Sequence, residues 1–187
     1  MAEHYLIDGY NVIHKDPSLR KLLFQDSRAA REQLISRLID FTLMNSCAVT
    51  LVFDGRHDAP PSGSTAVSAQ SPRLTITYTA ERQSADAYIE RYVQRHPVRS
   101  ELVVVSSDRG IRDLCRGMGS LTVDAAYFLK TLKEQADRVR ERLAAAQMES
   151  ARNRGRVEDA LDDQARASLQ AIREKLLRKH PEKKGRS

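Results

Sequence analysis

The chain has no tryptophan, two cysteines, eight glycines and six prolines in 187 residues, and aromatic side chains make up 5% of it. Each shortage narrows the field. Cys47 and Cys115 stand far apart and outside any CxxC or Cys/His cluster, which argues against structural zinc. Both read as buried structural thiols. The longest purely apolar stretch, residues 102–105, is far short of the roughly 20 residues needed to cross a bilayer. The N-terminus runs straight into a strand-like segment with no basic region followed by an apolar one, so the cytosol is the expected compartment and no membrane partner is expected. With so few aromatics, base stacking is not a strong theme; Tyr10 and Tyr88 are the candidates for it, with core packing as the plainer alternative.

Most of the chain also lacks any excess of charge. Residues 1–137 hold 17 Lys and Arg against 17 Asp and Glu, whereas residues 138–187 hold 14 against 8, so the whole net charge of +6 belongs to a C-terminal arm. A long-range field for polyanions therefore originates there. Arg152, Arg154 and Arg156 alternate through an expected break between two helices, and Lys179, Lys183, Lys184 and Arg186 cluster near the end. Both groups suit an RNA backbone or a ribosome. The plainer alternative is an amphipathic helix showing a solvated face.

What is present is an alternation of strands and helices. Residues 4–7 form an apolar run that stops at Asp8-Gly9, a strand followed by a turn. Ser27 caps a helix on which Ala30, Leu34, Leu38 and Phe41 recur at spacings of three and four, down to about Asn45. Residues 48–53 are a second strand, ending in Asp54-Gly55. Residues 55–73, rich in Gly, Pro, Ser and Ala without a sustained period, read as a mobile loop able to act as a flap. Residues 74–78 alternate as a strand with a more open face. Ser84 caps a helix to about Arg95, closed by Pro97.

Residues 102–105 have the apolar signature of a parallel strand covered on both faces, and lead through Ser106-Ser107-Asp108 into a short helix. Residues 121–123 make a last strand. Ala125 opens a long helix with Phe128, Leu129, Leu132, Ala136, Val139 and Leu143 on one face, and a second amphipathic helix is expected from about Val157. The pattern implies a three-layer, doubly wound, mainly parallel α/β sheet over residues 1–150, with a basic helical extension over 151–187. Ligands in such sheets bind beyond the carboxyl ends of the strands.

Acids gather at that edge. Asp8, Asp54 and Asp108 end strands or follow them closely, and Asp86 lies in the first turn of the Ser84 helix with Glu90 four residues on. Carboxylates crowded together repel unless a cation intervenes. Hard oxygen ligands without cysteine or a dense histidine set select Mg²⁺ or Mn²⁺ over zinc. Such an ion holds a phosphate oxygen and activates water for in-line attack. Asp-Gly also simply makes turns, and Asp54-Gly55 is the weakest of the set. Asn11 either serves a turn or orients Asp8 and contacts substrate. Ser106 and Ser107 either cap the following helix or, for Ser107, support the acids. His14, His57 and Arg109 read as ordinary surface residues.

The run Ile7-Asp8-Gly9-Tyr10-Asn11, then Val52-Phe53-Asp54, then Ser84-Ala85-Asp86 with Ile89-Glu90, then Ser106-Ser107-Asp108, resembles the NYN domains of the PIN-like nuclease superfamily. The order and spacing are similar to the YacP-like bacterial subgroup over about residues 4–150. The resemblance implies metal-dependent, endonucleolytic hydrolysis of RNA, with Asp8, Asp86 and Asp108 binding the metal and Asn11 in support; Asp54, Glu90 and Ser107 are the further supporting candidates. Because the subgroup includes a ribosome-associated endonuclease acting on messenger RNA, mRNA at the ribosome is the implied setting. The subgroup tends to carry a second acid directly after the position of Asp86, where this chain has Ala87, which leaves one or two metal ions open.

Two rivals compete. A catalytically silent RNA- or ribosome-binding module would keep the fold and use the basic arm, but has no need of Asp8, Asp86 and Asp108 together. A receiver-type signalling domain would use Asp54 as phosphoacceptor, but needs an acid beside Asp8, where Ile7 stands, and a late-strand lysine, where Asp124-Ala125 follow residues 121–123. No GxxxxGK phosphate loop occurs.

Overall fold

The computed structural model describes residues 3–55, 65–68, 71–80 and 83–160, and residues 168, 170–172 and 174 beyond them. Six strands form one sheet: β1 (His4–Asp8), β2 (Ala48–Phe53), β3 (Thr65–Ser68), β4 (Ser71–Tyr78), β5 (Leu102–Val105) and β6 (Leu121–Val123). Their order is β3-β4-β2-β1-β5-β6; five strands run parallel and β3 alone is antiparallel, against β4. The register sets Asp8 beside Val52 and Ile7 beside Val105, so β1, β2 and β5 end at nearly the same height.

The helices are α1 (Gly9–Lys15), α2 (Pro17–Gln25), α3 (Ser27–Asn45), α4 (Ala85–Arg95), α5 (Arg109–Gly117) and α6 (Ala125–Ala160). Side chains alternate across a strand, and the two faces bury two apolar clusters. Ile7, Val49, Leu51, Phe53 and Leu74 meet α1, α2, α3 and the start of α6. Leu6, Val52, Leu102 and Val104 meet Ala85, Ile89 and Val93 of α4 and Ile111 and Cys115 of α5. The three-layer doubly wound reading is therefore the observed fold, and both cysteines are buried and free.

Four expectations change. Residues 9–25 are not a turn and a connection but two helices. Asp8 caps α1, and Asp16 caps α2 with Pro17 at its first position, where a proline loses no hydrogen bond. The cap of α3 is Asp26 rather than Ser27, its carboxylate accepting from Ala29 N. The segment read as a flap contributes β3, and β4 begins at Ser71; residues 56–64, 69 and 70 lie outside the described residues. The break expected at residues 152–156 is absent, because α6 continues through Gly155 to Ala160. A single glycine costs a helix only about 1 kcal/mol, and no proline interrupts it.

Two compact units divide the chain. In the first, Met1–Asp137, the apolar stripe of α6 is buried at Ala125, Phe128 and Leu132, while Ala136 is exposed. The second, Arg138–Ser187, carries the rest of α6; its residues 140–150 are solvent-exposed, including Leu143 and Met148. Among the described residues no helix is long and apolar enough to cross a membrane.

Candidate active site

Asp8 is the last residue of β1 and the N-cap of α1. Its Oδ1 accepts from Asn11 N at 3.0 Å, and only 8% of the residue is exposed. Burial lifts its carboxyl to a pKa of about 6; the Asn11 hydrogen bond opposes this, and the nearby charges of Asp86 and Asp54 add to it. Gly9 follows because nothing larger fits: a Cβ there would lie 2.3 Å from the Phe53 ring. Asn11 then spans the gap to β5, its Oδ1 accepting from Ser107 N at 2.9 Å. One side chain thus ties the ends of β1 and β5 together.

Asp86 enters from α4, whose Ser84 cap accepts from Ala87 N. It is half-buried, and its Oδ1 is buried without a hydrogen-bond partner among the described residues. Burial raises its pKa first, with Asp108 and Asp54 adding like charge. Asp54 Oδ1 accepts from the backbone N–H of Ala85, fixing the start of α4 against the end of β2. Asp108 is exposed and caps α5, its Oδ1 taking Gly110 N at 2.7 Å and Ile111 N at 3.3 Å. Ser106 Oγ accepts from Asp108 N at 3.1 Å, and the buried Ser107 Oγ has no partner among the described residues.

The structure thus brings Asp8 and Asp86 within electrostatic reach of each other and of Asp54, and Asp108 within reach of Asp86. Asp54, the weakest of the set in sequence, acts on both buried acids. Glu90 is exposed and is not among the charges acting on Asp8 or Asp86; with Asp86 it acts on Cys115, whose thiol burial pushes up to about 11. Tyr10 is a packing residue, its ring 5.2 Å from that of Phe53 and its hydroxyl accepting from Arg31. His14 and Arg109 are exposed, and His57 lies outside the described residues. Arg152 is exposed on α6; Arg154 and Arg156 belong to the same helix, and Lys179, Lys183, Lys184 and Arg186 lie outside the described residues.

A further strand-end acid, Asp124, went unweighed in sequence. It lies after β6, but Arg112 of α5 meets it at 2.5 Å and Ala126 N at 2.8 Å. Its pKa is lowered, since these partners outweigh its desolvation. Among the described residues no such cation meets Asp8 or Asp86, which separates the two groups of acids.

The donor set is all oxygen, and the orphaned Asp86 Oδ1 beside the uncompensated Asp8 carboxyl fits a hard divalent cation. Among the described residues no three acids, histidines or cysteines are disposed to hold one ion together. The fit is therefore to an ion held through one or two carboxylates, with water and substrate phosphate completing its shell, as Mg²⁺ prefers.

The Bacillus subtilis protein YacP is 26% identical over 139 residues, 74% of this chain and 79% of the relative. The crystal structure of Rae1 (YacP) from Bacillus subtilis superposes with a TM-score of 0.66, covering 94% of this chain and 97% of that one at 22% identity. A tryptophan-to-leucine mutant of that protein gives 0.64 at 25% identity, covering 78% and 83%. The family model of the YacP-like NYN domain matches residues 5–174, and the chain belongs to that nuclease-type family.

Proposed function

We propose that this chain is a metal-dependent endoribonuclease that hydrolyses RNA phosphodiester bonds at the carboxyl edge of its sheet. The observation that carries this reading is the buried Asp8 carboxyl and the half-buried Asp86, whose Oδ1 is orphaned, with no cation paired to either among the described residues. Left alone they repel, and burial with like charge makes each reluctant to ionise. With a divalent cation and a phosphate between them they become ligands.

Asp8 and Asp86 would hold the ion, with Asp108 at the exposed margin completing its surroundings. When bound, Mg²⁺ or Mn²⁺ supplies charge neutralisation of the phosphate and a water of lowered pKa. The chain itself does the positioning. Asn11 fixes Asp8 through its backbone N–H and fixes the β5 end through its side chain. Asp54 holds the first turn of α4, and with it Asp86. Asp108, anchored to α5 through Oδ1, has its Oδ2 free of hydrogen bonds among the described residues and is suited to accept a proton from solvent. The charged arm favours RNA, and messenger RNA at the ribosome, the setting that the family resemblance implies, is the substrate we favour.

The test is incubation of the purified chain with structured and unstructured RNA, with and without Mn²⁺, beside Asp8→Asn. Metal-dependent cleavage lost in the variant supports the proposal, and the product ends identify the reaction. RNA binding that ignores the metal, with no cleavage under any condition, would instead make the chain a silent RNA-binding module.

A further inference from the structure

A second feature lies on α4, away from the acids. Successive helical residues turn by about 100°, so α4 has three faces. Ala85, Ile89 and Val93 are buried against the sheet, and Asp86 and Glu90 lie on one side of that stripe. On the other side stand Tyr88, Arg91, Tyr92 and Arg95. These four, with Gln83 and His96, line a groove of about 360 Å³ that Pro97 closes. Its volume is within the range of small-ligand sites.

The groove's chemistry is specific. Tyr88, Tyr92 and His96 follow one another at intervals of four residues and form a ladder of rings. The centroids of Tyr88 and Tyr92 are 6.2 Å apart with planes 32° from parallel; those of Tyr92 and His96 are 6.0 Å apart and 21° from parallel. His4 supports the ladder from β1, edge-on to Tyr92 at 5.5 Å. Both tyrosines and His96 are half-buried, so one side of each ring is packed and the rest meets the groove. The Tyr88 hydroxyl makes no hydrogen bond among the described residues. Arg91 and Arg95 flank the ladder, exposed, and neither is ion-paired or hydrogen-bonded among the described residues. No described lining residue is acidic. In a chain with ten aromatic residues and a strand edge full of carboxylates, a place that joins stacked rings to unpaired guanidinium groups has its own ligand chemistry.

We infer that the α4 groove is a subsite for single-stranded RNA, in which bases stack on the Tyr88–Tyr92–His96 ladder while Arg91 and Arg95 take the adjoining phosphates. The inference rests on the ribonuclease reading for its choice of RNA. Rings give sequence-tolerant affinity, since every base has a face to stack, and the guanidinium pair supplies the charge complement to the backbone. The groove's upper end is at Gln83, next to the Ala85–Asp54 contact, and α4 extends about 14 Å from Asp86 to Arg95. A strand held there approaches the acids from the β2 side and leaves the scissile phosphate free to reach them. The groove thus favours unpaired RNA, because a base engaged in a duplex cannot present its face to the ladder.

The test uses the full chain, a short fluorescein-labelled oligouridylate and fluorescence anisotropy in the presence of EDTA, so that the strand stays intact. Tyr88→Leu and Tyr92→Leu are each expected to weaken binding roughly ten-fold, whereas Tyr88→Phe, which keeps the ring, binds as the unaltered chain does. Arg91→Gln and Arg95→Gln each lower the slope of log affinity against log salt by about one. An abasic strand of the same length separates stacking from general damage: on it, Tyr88→Leu and the unaltered chain are expected to bind alike. Equal affinity of the tyrosine and arginine variants for oligouridylate, or a loss that persists on the abasic strand, overturns the inference. The same strand incubated with the unaltered chain and Mn²⁺ keeps the two proposals apart. Cleavage without any effect of the groove variants removes the groove and leaves the nuclease; binding that depends on the groove with no cleavage does the reverse.

Discussion

Asp8 and Asp124 occupy equivalent places and behave in opposite ways. Each ends a strand, each caps the helix that follows, and each accepts a backbone N–H from that helix. Asp124 has Arg112 at 2.5 Å and is held below the usual carboxylate range. Asp8 is buried beside two further carboxylates with no cation paired to it among the described residues, and is held well above it. Position in the fold is therefore no guide to role. The partner, or its absence among the described residues, distinguishes an acid held in its charged form from one reluctant to ionise.

Four measurements can break or sharpen this contrast. The largest expected effect is on RNA cleavage in Mn²⁺: Asp8→Asn loses roughly a thousand-fold or more, about 4 kcal/mol of transition-state stabilisation, while Asp124→Asn cleaves like the unaltered chain. Equal losses in the two variants would erase the distinction.

Stability should move the other way. The folded carboxyl of Asp8, at about 6, lies above its ordinary value of 3.8, so its contribution is fully present below about pH 4 and is lost as pH rises through about 6. In chelator, Asp8→Asn removes this penalty. Urea titrations are expected to show the variant level with the unaltered chain near pH 4 and about 2 kcal/mol more stable at neutral pH. A gap that does not open with pH would mean that Asp8 is not under this strain.

Gly9→Ala tests the packing beneath the acid edge. Its Cβ would meet Phe53 at 2.3 Å, and a loss of about 2 kcal/mol is expected by thermal or chemical denaturation, with weakened cleavage as the Asp8 cap shifts. The smallest effect belongs to the paired end. Asp124→Asn keeps the capping oxygen and removes the charge opposite Arg112, so urea unfolding should report a loss of only about 0.5 kcal/mol, because the pair is partly exposed.

Much of the architecture was legible from periodicity. The apolar runs at β1, β2 and β5, the spacing of α3 and the serine cap of α4 are local signals, and all five elements form where those signals stand. The misses have local causes too. Asp8-Gly9 has the composition of a turn, yet the glycine is there for Phe53 and the aspartate starts a helix. Asp16-Pro17 is a helix-start signal that the sequence carried openly. The strand β3 has little apolar pattern of its own, and its pairing with β4 defines it. Sequence order also gave the acids of the edge but no ranking among them. Asp54 looked dispensable because its partner, the Ala85 N–H, lies 31 residues away. The pairing of Arg112 with Asp124 was hidden for the same kind of reason: a cation twelve residues off is invisible until the turn between α5 and β6 is known. The α4 groove was half visible, as Tyr88 alone.

Asn11 is a neutral amide set among carboxylates. An aspartate there would accept the Ser107 N–H just as well, since that bond asks only for an oxygen. It would also place another negative charge next to an acid already reluctant to ionise. The Asn11 side chain also lends a hydrogen bond to Asp8, which a carboxylate could not, so hydrogen bonding and charge close the choice together and the edge gains its rigidity from a group that adds nothing to the repulsion it must contain.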